Sequence, residues 1–555
     1  MASDPAVCCW SSASVPGPRH WWAAGSAVAC CLIVAGWLSL SEKLYLFSSD
    51  SLIPTLASTM QWTFYYWESD RLGQLLPLLA MPVQDPLGNN MLQCFLGVLL
   101  GIGVLFLLPA FLPAFASSRN DSWLAAGTIT VAAILLCSPP KIFHIYLPGS
   151  HTYGPSLCLT LGGLLLATPR WSRRHFVGRL AAAVALVTCG LWVNLAVFIF
   201  AAILIAVDAL LWARREHPAV EDTAIGRLLD RRLPWLPAWI RDGVTLVIPM
   251  ALVLATGLIV NIVARKIFAP EIKSAYSHTS FGITPLEVYP GAVLQMIRNA
   301  VTDYLGIAGL GFVAASVVAA AWLWRRGSLP AAVTTLWITA GLFLLAVCGL
   351  RHVSLGNACN ARYVLPSIVT IQAAAGLVAA GVIREMAGAY EPFLRRSLVC
   401  WGSPVVIVLA LAVAVGPPSP DVPRRLLTRF ASPEAEEILE SGVGFIAGDY
   451  WAVWPTVFKV NLLLAERGET RRVWGIGYRA SVTKHRWIET APDGSGRLAY
   501  LKAAPQHYGY ALDWLAENLD LEIGPCERST ERIDYRRFRF APPDRAAMKG
   551  HDFAR

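Results

Sequence analysis

A single aspartate, Asp50, stands in the polar segment SSDSLIP that follows the first long apolar run. A carboxylate within hydrogen-bond reach of a hydroxyl group can take its proton as the oxygen attacks an anomeric carbon. A direct displacement of this kind needs no second carboxylate. Asp50 is therefore a candidate general base. The alternative is structural, because Asp50 or Ser51 could cap the next helix by accepting hydrogen bonds from its free backbone amides.

Three more acidic residues, Glu68, Asp70 and Asp85, lie in the same segment, Ser41–Asn90. They are further candidates for the base, and Glu68 and Asp70 are also candidate substrate-binding residues. A solvated surface position is the simpler interpretation of all three. The aromatic residues between Trp62 and Trp67 are of the types that settle at a membrane–water interface, which places this segment on the outer membrane surface.

Cationic side chains form a second group of residues that could take part in chemistry. If the substrate is attached to a lipid phosphate, the departing group is an anion, and cations must lie where its charge develops. The candidates for binding this phosphate, with the first the strongest, are Arg362, Arg351, His352, Lys141 and His144. Asn357, Asn360 and Tyr363 lie in the same short segment as Arg362 and are candidate substrate-binding residues. The alternative for Arg362 is an interfacial anchor whose long side chain reaches out to water.

The elements that must position these residues are membrane helices. Apolar residues make up 55% of the 555 residues and charged residues only 15%. The apolar residues are gathered into runs of roughly twenty, the length of a helix that crosses a bilayer. The run Leu180–Ala213 is too long for one crossing, and basic clusters flank both of its ends. We therefore divide it into two short helices that turn near Gly190–Asn194, which gives about eleven transmembrane helices in total.

The order of these runs predicts the topology. The segment Ser41–Asn90 is a long first outer loop, and the second run opens at Met91. Arg and Lys are more frequent in the short loops assigned to the inside, so the N-terminus lies in the cytoplasm. The segment Arg215–Asp242 is basic and partly amphipathic, and predicts a cytoplasmic interfacial helix. An inside N-terminus and eleven crossings put the C-terminal part outside.

Residues 1–416 thus form a transmembrane domain, residues 417–432 a linker, and residues 433–555 a small soluble domain. Hydrophobic patterns in the last part predict helices that alternate with strands, which favours an α/β module. The predicted helices are Pro433–Ser441, Trp454–Arg467 and Tyr508–Leu519, and the predicted strands are Val443–Ala447, Arg472–Tyr478, Leu521–Cys526 and Asp534–Phe540.

Composition also argues against several classes of protein. The twelve cysteines fall mainly inside apolar runs and have neither the spacing of a zinc site nor that of a disulfide framework. No metal ion or other cofactor is indicated. The net charge of +9 comes mostly from arginine clusters between apolar runs. It therefore acts as an orientation signal, and no nucleic-acid partner is expected.

The pattern resembles the GT-C superfamily of polytopic glycosyltransferases. The matching features are an acidic residue early in the first outer loop, Asp50, and the outer-loop motif NARYVLP, Asn360–Pro366. A C-terminal extracytoplasmic domain also matches. The resemblance implies a mainly α-helical GT-C-like fold, a polyprenyl-phosphate-linked sugar donor, a glycan, lipid or protein acceptor, and Asp50 as the base. The chain departs from the family in having a lone Asp50 followed by Ser51 instead of paired acidic residues.

The segment GDYWAVWP also looks like that of uncharacterised bacterial relatives. There, Asp449 and Tyr450 are candidate substrate-binding residues at an acceptor cleft, while packing at the end of a strand is the simpler role for Trp451 and Trp454.

The expected function is an inverting transfer of a sugar at the outer face of the bacterial inner (cytoplasmic) membrane. The alternatives are a transporter or flippase of a lipid-linked or anionic substrate, and a binding protein for envelope assembly. A transporter favours repeated halves and charges near mid-membrane, whereas the polar residues here gather in outer loops. A binding protein would keep its function in the detached C-terminal domain.

Overall fold

The computed structural model describes residues 18–45, 47–66, 72–111, 122–146, 152–168, 176–212, 231, 235, 238–268, 282–387, 392–429, 434–476, 495–502, 512 and 521–540. This part of the chain is mainly helical and carries one five-stranded sheet near its C-terminus. Glu68, Asp70, most of the predicted helix Tyr508–Leu519 and most of the segment Arg215–Asp242 lie outside the described residues.

Long apolar helices dominate the fold. Among the described residues, six stretches are long and apolar enough to cross a membrane: Trp22–Ser39, Pro86–Ala110, Val247–Phe268, Tyr289–Arg325, Ala331–Cys348 and Ala361–Ala387. Five shorter apolar helices accompany them: Trp123–Cys137, Tyr153–Ala167, Val177–Val193, Val197–Leu211 and Val399–Ala414. The prediction of a mainly helical membrane protein is confirmed. The number of crossings stays a prediction, because length and composition do not place a bilayer.

The long apolar run between residues 180 and 213 forms two helices, Phe176–Val193 and Val197–Trp212. They are separated by a short turn that begins at Asn194. The side chain of Asn194 supports this turn, since its Oδ1 atom accepts a hydrogen bond from the backbone N–H of Ala196 at 3.0 Å. The predicted division of this run is confirmed.

The first loop differs from its predicted extent. It contains the helices Ser49–Thr59 and Leu75–Ala80, and the following helix begins at Pro86 instead of Met91. Asp85 explains the earlier start, because its carboxylate accepts a hydrogen bond from Gly88 N at 2.6 Å and so caps the helix. Proline fits the first turn of a helix, where its missing N–H leaves no bond unmade. The predicted opening at Met91 was wrong by five residues.

Small residues allow neighbouring apolar helices to approach closely. The helix Tyr153–Ala167 packs along Phe176–Val193. A Cβ atom at Gly163 would lie 2.7 Å from the carbonyl oxygen of Ala183, and one at Gly190 would lie 2.9 Å from that of Ser156. Ser156 Oγ also donates a hydrogen bond to the Gly190 carbonyl oxygen at 2.7 Å. Small and hydroxyl residues therefore hold this pair together.

The C-terminal part contains the sheet, whose strands are β1 (Phe445–Ala447), β2 (Trp474–Ile476), β3 (Ser495–Leu501), β4 (Leu521–Ser529) and β5 (Ile533–Phe540). Their spatial order is β2-β1-β3-β5-β4. The strand β1 pairs in parallel with β2 and β3, while β5 pairs antiparallel with β3 and β4. Strand β3 was not predicted from the sequence, although it lies at the centre of the sheet.

Helices complete this part of the chain. Glu434–Ser441 and Tyr450–Glu466 correspond to predicted helices, but the second begins four residues earlier than predicted because Asp449 caps it. The predicted linker, residues 417–432, contains the helix Val422–Arg429. Val422, Pro423 and Leu427 are buried in the fold, which explains why this segment is ordered as a helix.

The helix Tyr450–Glu466 connects the C-terminal part to the apolar helices. It packs against both Ser49–Thr59 and Pro86–Phe111. Buried residues of the two parts belong to one continuous hydrophobic core. This contact brings the segment around Tyr450 to the first loop.

Candidate active site

A cavity of about 240 Å3 lies where the first loop, the segment before the helix Leu365–Ala387 and the C-terminal part meet. Residues from distant parts of the chain line it, among them Asp50, Tyr66, Gln93, His144, Arg362 and Trp451. The two leading sequence candidates, Asp50 and Arg362, are therefore brought to the same cavity. They also attract each other electrostatically.

Asp50 occupies the first turn of the helix Ser49–Thr59. The N-cap of this helix is Ser48, whose backbone N–H donates a hydrogen bond to Ser51 Oγ at 3.0 Å. The predicted capping role therefore belongs to the serines and not to Asp50. A carboxylate in the first turn is favoured by the positive end of the helix dipole. Asp50 is half-buried, and its carboxylate lines the cavity.

The Asp50 carboxylate is held by the C-terminal part. Tyr450 Oη donates a hydrogen bond to Asp50 Oδ1 at 2.6 Å. In return, Ser49 Oγ donates one to the backbone carbonyl of Tyr450, also at 2.6 Å. These two bonds join the first turns of two helices that are far apart in sequence, and they fix the direction of the carboxylate.

The segment GDYW gives Tyr450 its place. Gly448 has φ +145°, and a Cβ atom there would lie 2.9 Å from the carbonyl oxygen of Leu501, so a side chain would not fit at this end of β1. Asp449 is buried, and its carboxylate accepts a hydrogen bond from Trp451 N at 2.9 Å. Asp449 thus starts the helix, and Tyr450 at its first position points to Asp50.

Trp451 differs from its predicted role. Packing at the end of a strand was expected, but 51% of the residue is exposed and it lines the cavity. Its ring lies edge-on to that of Tyr450, with 5.0 Å between the centroids. Trp454 does pack as predicted, since only 1% of it is exposed.

Arg362 is oriented by its neighbours in the motif NARYVLP. Asn360 caps the short 3-10 turn Ala361–Val364, because its Oδ1 atom accepts a hydrogen bond from Arg362 N at 3.1 Å. Arg362 Nη2 donates to Tyr363 Oη at 3.2 Å, and the guanidinium carbon lies 5.0 Å from the centre of that ring. Asn360 and Tyr363 thus hold the arginine that lines the cavity.

His144, a predicted phosphate-binding cation, also lines the cavity, and its surroundings disfavour a charged ring. Its Nδ1 atom lies 3.1 Å from the carbonyl oxygen of Leu44, which can only accept a hydrogen bond, so the ring carries a proton on Nδ1. Burial lowers the pKa of His144, and the hydrogen bond to Leu44 offsets this only in part. A lowered pKa favours the neutral ring, whose Nε2 atom is then an acceptor.

Among the described residues, the other cationic candidates do not belong to the cavity lining. They contact other groups instead. Lys141 Nζ forms an ion pair with Asp303 Oδ2 at 2.8 Å and lies 5.9 Å from the centre of the Tyr304 ring. His352 Nε2 lies 2.9 Å from Asn357 Nδ2, and Arg351 is exposed next to Gly282. Asn357 thus contacts a histidine, and none of these four residues belongs to the cavity lining.

Sequence reasoning missed the amide side chains that support the Asp50 helix. Asn89, fully buried, donates hydrogen bonds to Ser58 Oγ at 2.8 Å and to the Val83 carbonyl at 2.9 Å. Asn90 donates to Thr55 Oγ1 at 2.9 Å, and Gln93 to Asn89 Oδ1 at 2.7 Å. The signal was present, because three amides at the start of an apolar helix need buried polar partners.

The chain has loose likenesses to a few solved structures. No family model and no curated protein matches the chain. Among solved structures, the chain is similar to ArnT from Cupriavidus metallidurans in the apo state, with 13% identity, a TM-score of 0.48, and coverage of 96% of this chain and 99% of that one. ArnT bound to undecaprenyl phosphate gives 13% identity, a TM-score of 0.46, and coverage of 96% and 100%.

The oligosaccharyltransferase of Archaeoglobus fulgidus in the apo form gives 14% identity and a TM-score of 0.38, over 84% of this chain and 65% of that one. These likenesses are loose. The case for an activity therefore rests on the residues of the cavity.

Proposed function

We propose that this chain is an inverting glycosyltransferase that moves a sugar from a polyprenyl-phosphate-linked donor to an envelope acceptor, which is a glycan, a lipid or a protein. The observation that carries the proposal is the meeting of Asp50 and Arg362 in one cavity. A base and a cation in the same cavity are the two groups that such a displacement needs.

Asp50 acts as the general base in this proposal. Its carboxylate accepts the proton of an acceptor hydroxyl while that oxygen bonds to the anomeric carbon of the donor sugar. The bond between the anomeric carbon and the phosphate oxygen breaks, and its electron pair leaves with the phosphate. Attack from the side opposite to the leaving group inverts the configuration at this carbon. The hydrogen bond from Tyr450 keeps the carboxylate in one orientation during this step.

Arg362 compensates the charge that develops on the departing phosphate. A guanidinium is always protonated and presents several N–H donors in a plane, which suits phosphate oxygens. Tyr363 and Asn360 serve by holding this arginine, whereas Arg351, His352 and Lys141 lie outside the cavity lining. The Nε2 atom of neutral His144 accepts a hydrogen bond from a substrate hydroxyl.

The size of the cavity limits what it holds. Its volume of about 240 Å3 is below the roughly 300–1,000 Å3 of pockets that enclose drug-sized ligands. We expect the reacting sugar and its phosphate to lie inside, while the lipid chain lies along the apolar helices. The cavity and the C-terminal part face the outside of the cytoplasmic membrane in this proposal.

The test is transfer of labelled sugar from a polyprenyl-phosphate donor by the purified protein, with an envelope-membrane extract as the acceptor source. We expect Asp50→Asn to lower kcat by roughly 100- to 10,000-fold and Arg362→Ala by roughly 100- to 1,000-fold. Glu42→Gln and Arg326→Ala are matched controls, since both residues are exposed and lie outside the cavity lining.

Two results would refute the proposal. Full activity of Asp50→Asn would remove the base. A product with the same anomeric configuration as the donor would exclude a direct displacement. Transport of the intact donor across a vesicle membrane without release of its sugar would instead support the alternative function, a transporter.

A further inference from the structure

Tyr450 is the point where the C-terminal part reaches the candidate base. Only 2% of Tyr450 is exposed, and its hydroxyl lies 2.6 Å from Asp50 Oδ1. The distance is typical of a strong hydrogen bond to a charged oxygen. A phenol that is buried and bonded in this way has little freedom to bind substrate itself.

The backbone at Tyr450 is fixed independently of its ring. Ser49 Oγ bonds to its carbonyl, and Asp449 caps its helix by accepting a hydrogen bond from Trp451 N. The start of its helix is also set by Gly448, which lies against Leu501 of β3. The position of the phenol oxygen is therefore set by contacts within the protein, through the sheet and the helix.

We infer that Tyr450 is a positioning residue, through which the C-terminal part aims the Asp50 carboxylate at the acceptor hydroxyl. The inference rests on the proposed function, and it replaces the substrate-binding role that the sequence suggested for Tyr450. Holding Oδ1 in place limits rotation of the carboxylate and directs its other oxygen. Small errors in the placement of a reacting group are costly, since a 1 Å displacement lowers a rate by up to about 100-fold.

The test is Tyr450→Phe, which removes only the hydroxyl. We expect kcat to fall by roughly 10- to 100-fold, with the KM for the donor unchanged, because the ring and the cavity wall remain. Tyr535→Phe is the matched control. Its hydroxyl is also buried and donates to a carboxylate, Glu437 Oε1, at 3.0 Å, but it lies outside the cavity lining. This variant should keep the wild-type kcat.

A double-mutant cycle separates positioning from a general structural effect. If Tyr450 acts through Asp50, Tyr450→Phe should cause no further loss of kcat in the Asp50→Asn protein. A further loss equal to that in the wild type would overturn the inference, as would a wild-type kcat in Tyr450→Phe alone. Full activity of Asp50→Asn would instead refute the proposed function, so the two failures are distinguishable.

Discussion

The amide of Asn89 is the feature through which the apolar helix Pro86–Phe111 supports the candidate base. Asn89 is fully buried, and its Nδ2 group shares its two N–H donors among Ser58 Oγ and the carbonyl oxygens of Ala80 and Val83, while its Oδ1 atom accepts a hydrogen bond from Gln93. Ser58 belongs to the helix that carries Asp50. Gln93 also donates a hydrogen bond to the Pro54 carbonyl of that helix. We therefore predict that Asn89→Ala impairs both stability and catalysis.

The magnitude follows from the partners that lose their bonds. The Ala80 carbonyl keeps a second donor, Val83 N at 2.9 Å, and Ser58 Oγ still donates to the Pro77 carbonyl at 2.8 Å. The Val83 carbonyl and the amide of Gln93 lose their best partners. Each unsatisfied group costs about 1–3 kcal/mol when buried. Because the Val83 backbone is only partly buried, we expect a total of about 3 kcal/mol.

The assay combines thermal unfolding in detergent with sugar transfer per folded molecule. Asn461→Ala is the control, because Asn461 is also buried and makes three hydrogen bonds, but it supports the sheet at Val473 instead of the Asp50 helix. Both variants should unfold at lower temperature, while only Asn89→Ala should lower kcat, by up to about 100-fold. An equal loss of kcat in both variants, or none in Asn89→Ala, would refute the reasoning.

Two further predictions concern other parts of the fold. Burial lowers the pKa of His144 in the folded protein from its ordinary value of 6.5. As the pH falls below 6.5, the unfolded chain therefore takes up a proton at this histidine more readily than the folded protein, and the folded protein loses stability. His144→Gln should therefore show a smaller drop in unfolding temperature between pH 7.5 and 5.5 than the wild type, and an equal drop would contradict this. Gly190→Ala should destabilise the protein by about 1–3 kcal/mol because its Cβ atom meets the Ser156 carbonyl. Gly178→Ala, where a Cβ atom meets nothing within 4 Å, should be neutral or slightly stabilising in the same unfolding measurement.

The apolar helices were predictable because their signal is local. A run of roughly twenty apolar residues has one stable form in a bilayer, and the long run at residues 180–213 revealed its division through its length. The helix start at Pro86 was harder, since the polar residues Asp85, Asn89 and Asn90 look like loop residues in sequence. They form a cap and buried bonds instead.

The sheet was less accessible to sequence reasoning. Strand β3 lies between β1 and β5, and its consecutive residues Leu498 and Ala499, which point to opposite faces of the sheet, are both buried. This removes the alternation that marks a half-exposed strand. Pairing partners that come from distant segments, and not local preference, define this strand.

The site was predictable only in part. Asp50 and Arg362 stood out because charged groups close to membrane helices are energetically costly and are often functional. Nothing near Tyr450 in the sequence indicates a bond to a residue on the first loop. The same holds for the lowered pKa of His144, which comes from its burial. Such features come from tertiary contacts.

The contact between Asp50 and Tyr450 joins residues that are separated by 400 positions. At about 5–20 residues per second, a ribosome delivers the second roughly 20–80 s after the first. During that interval the apolar helices can enter the membrane while the aspartate still lacks its phenol partner. Completion of the candidate site is thus tied to synthesis of the C-terminal part, and a nascent chain that has inserted its apolar helices still lacks the hydrogen bond between Tyr450 and Asp50.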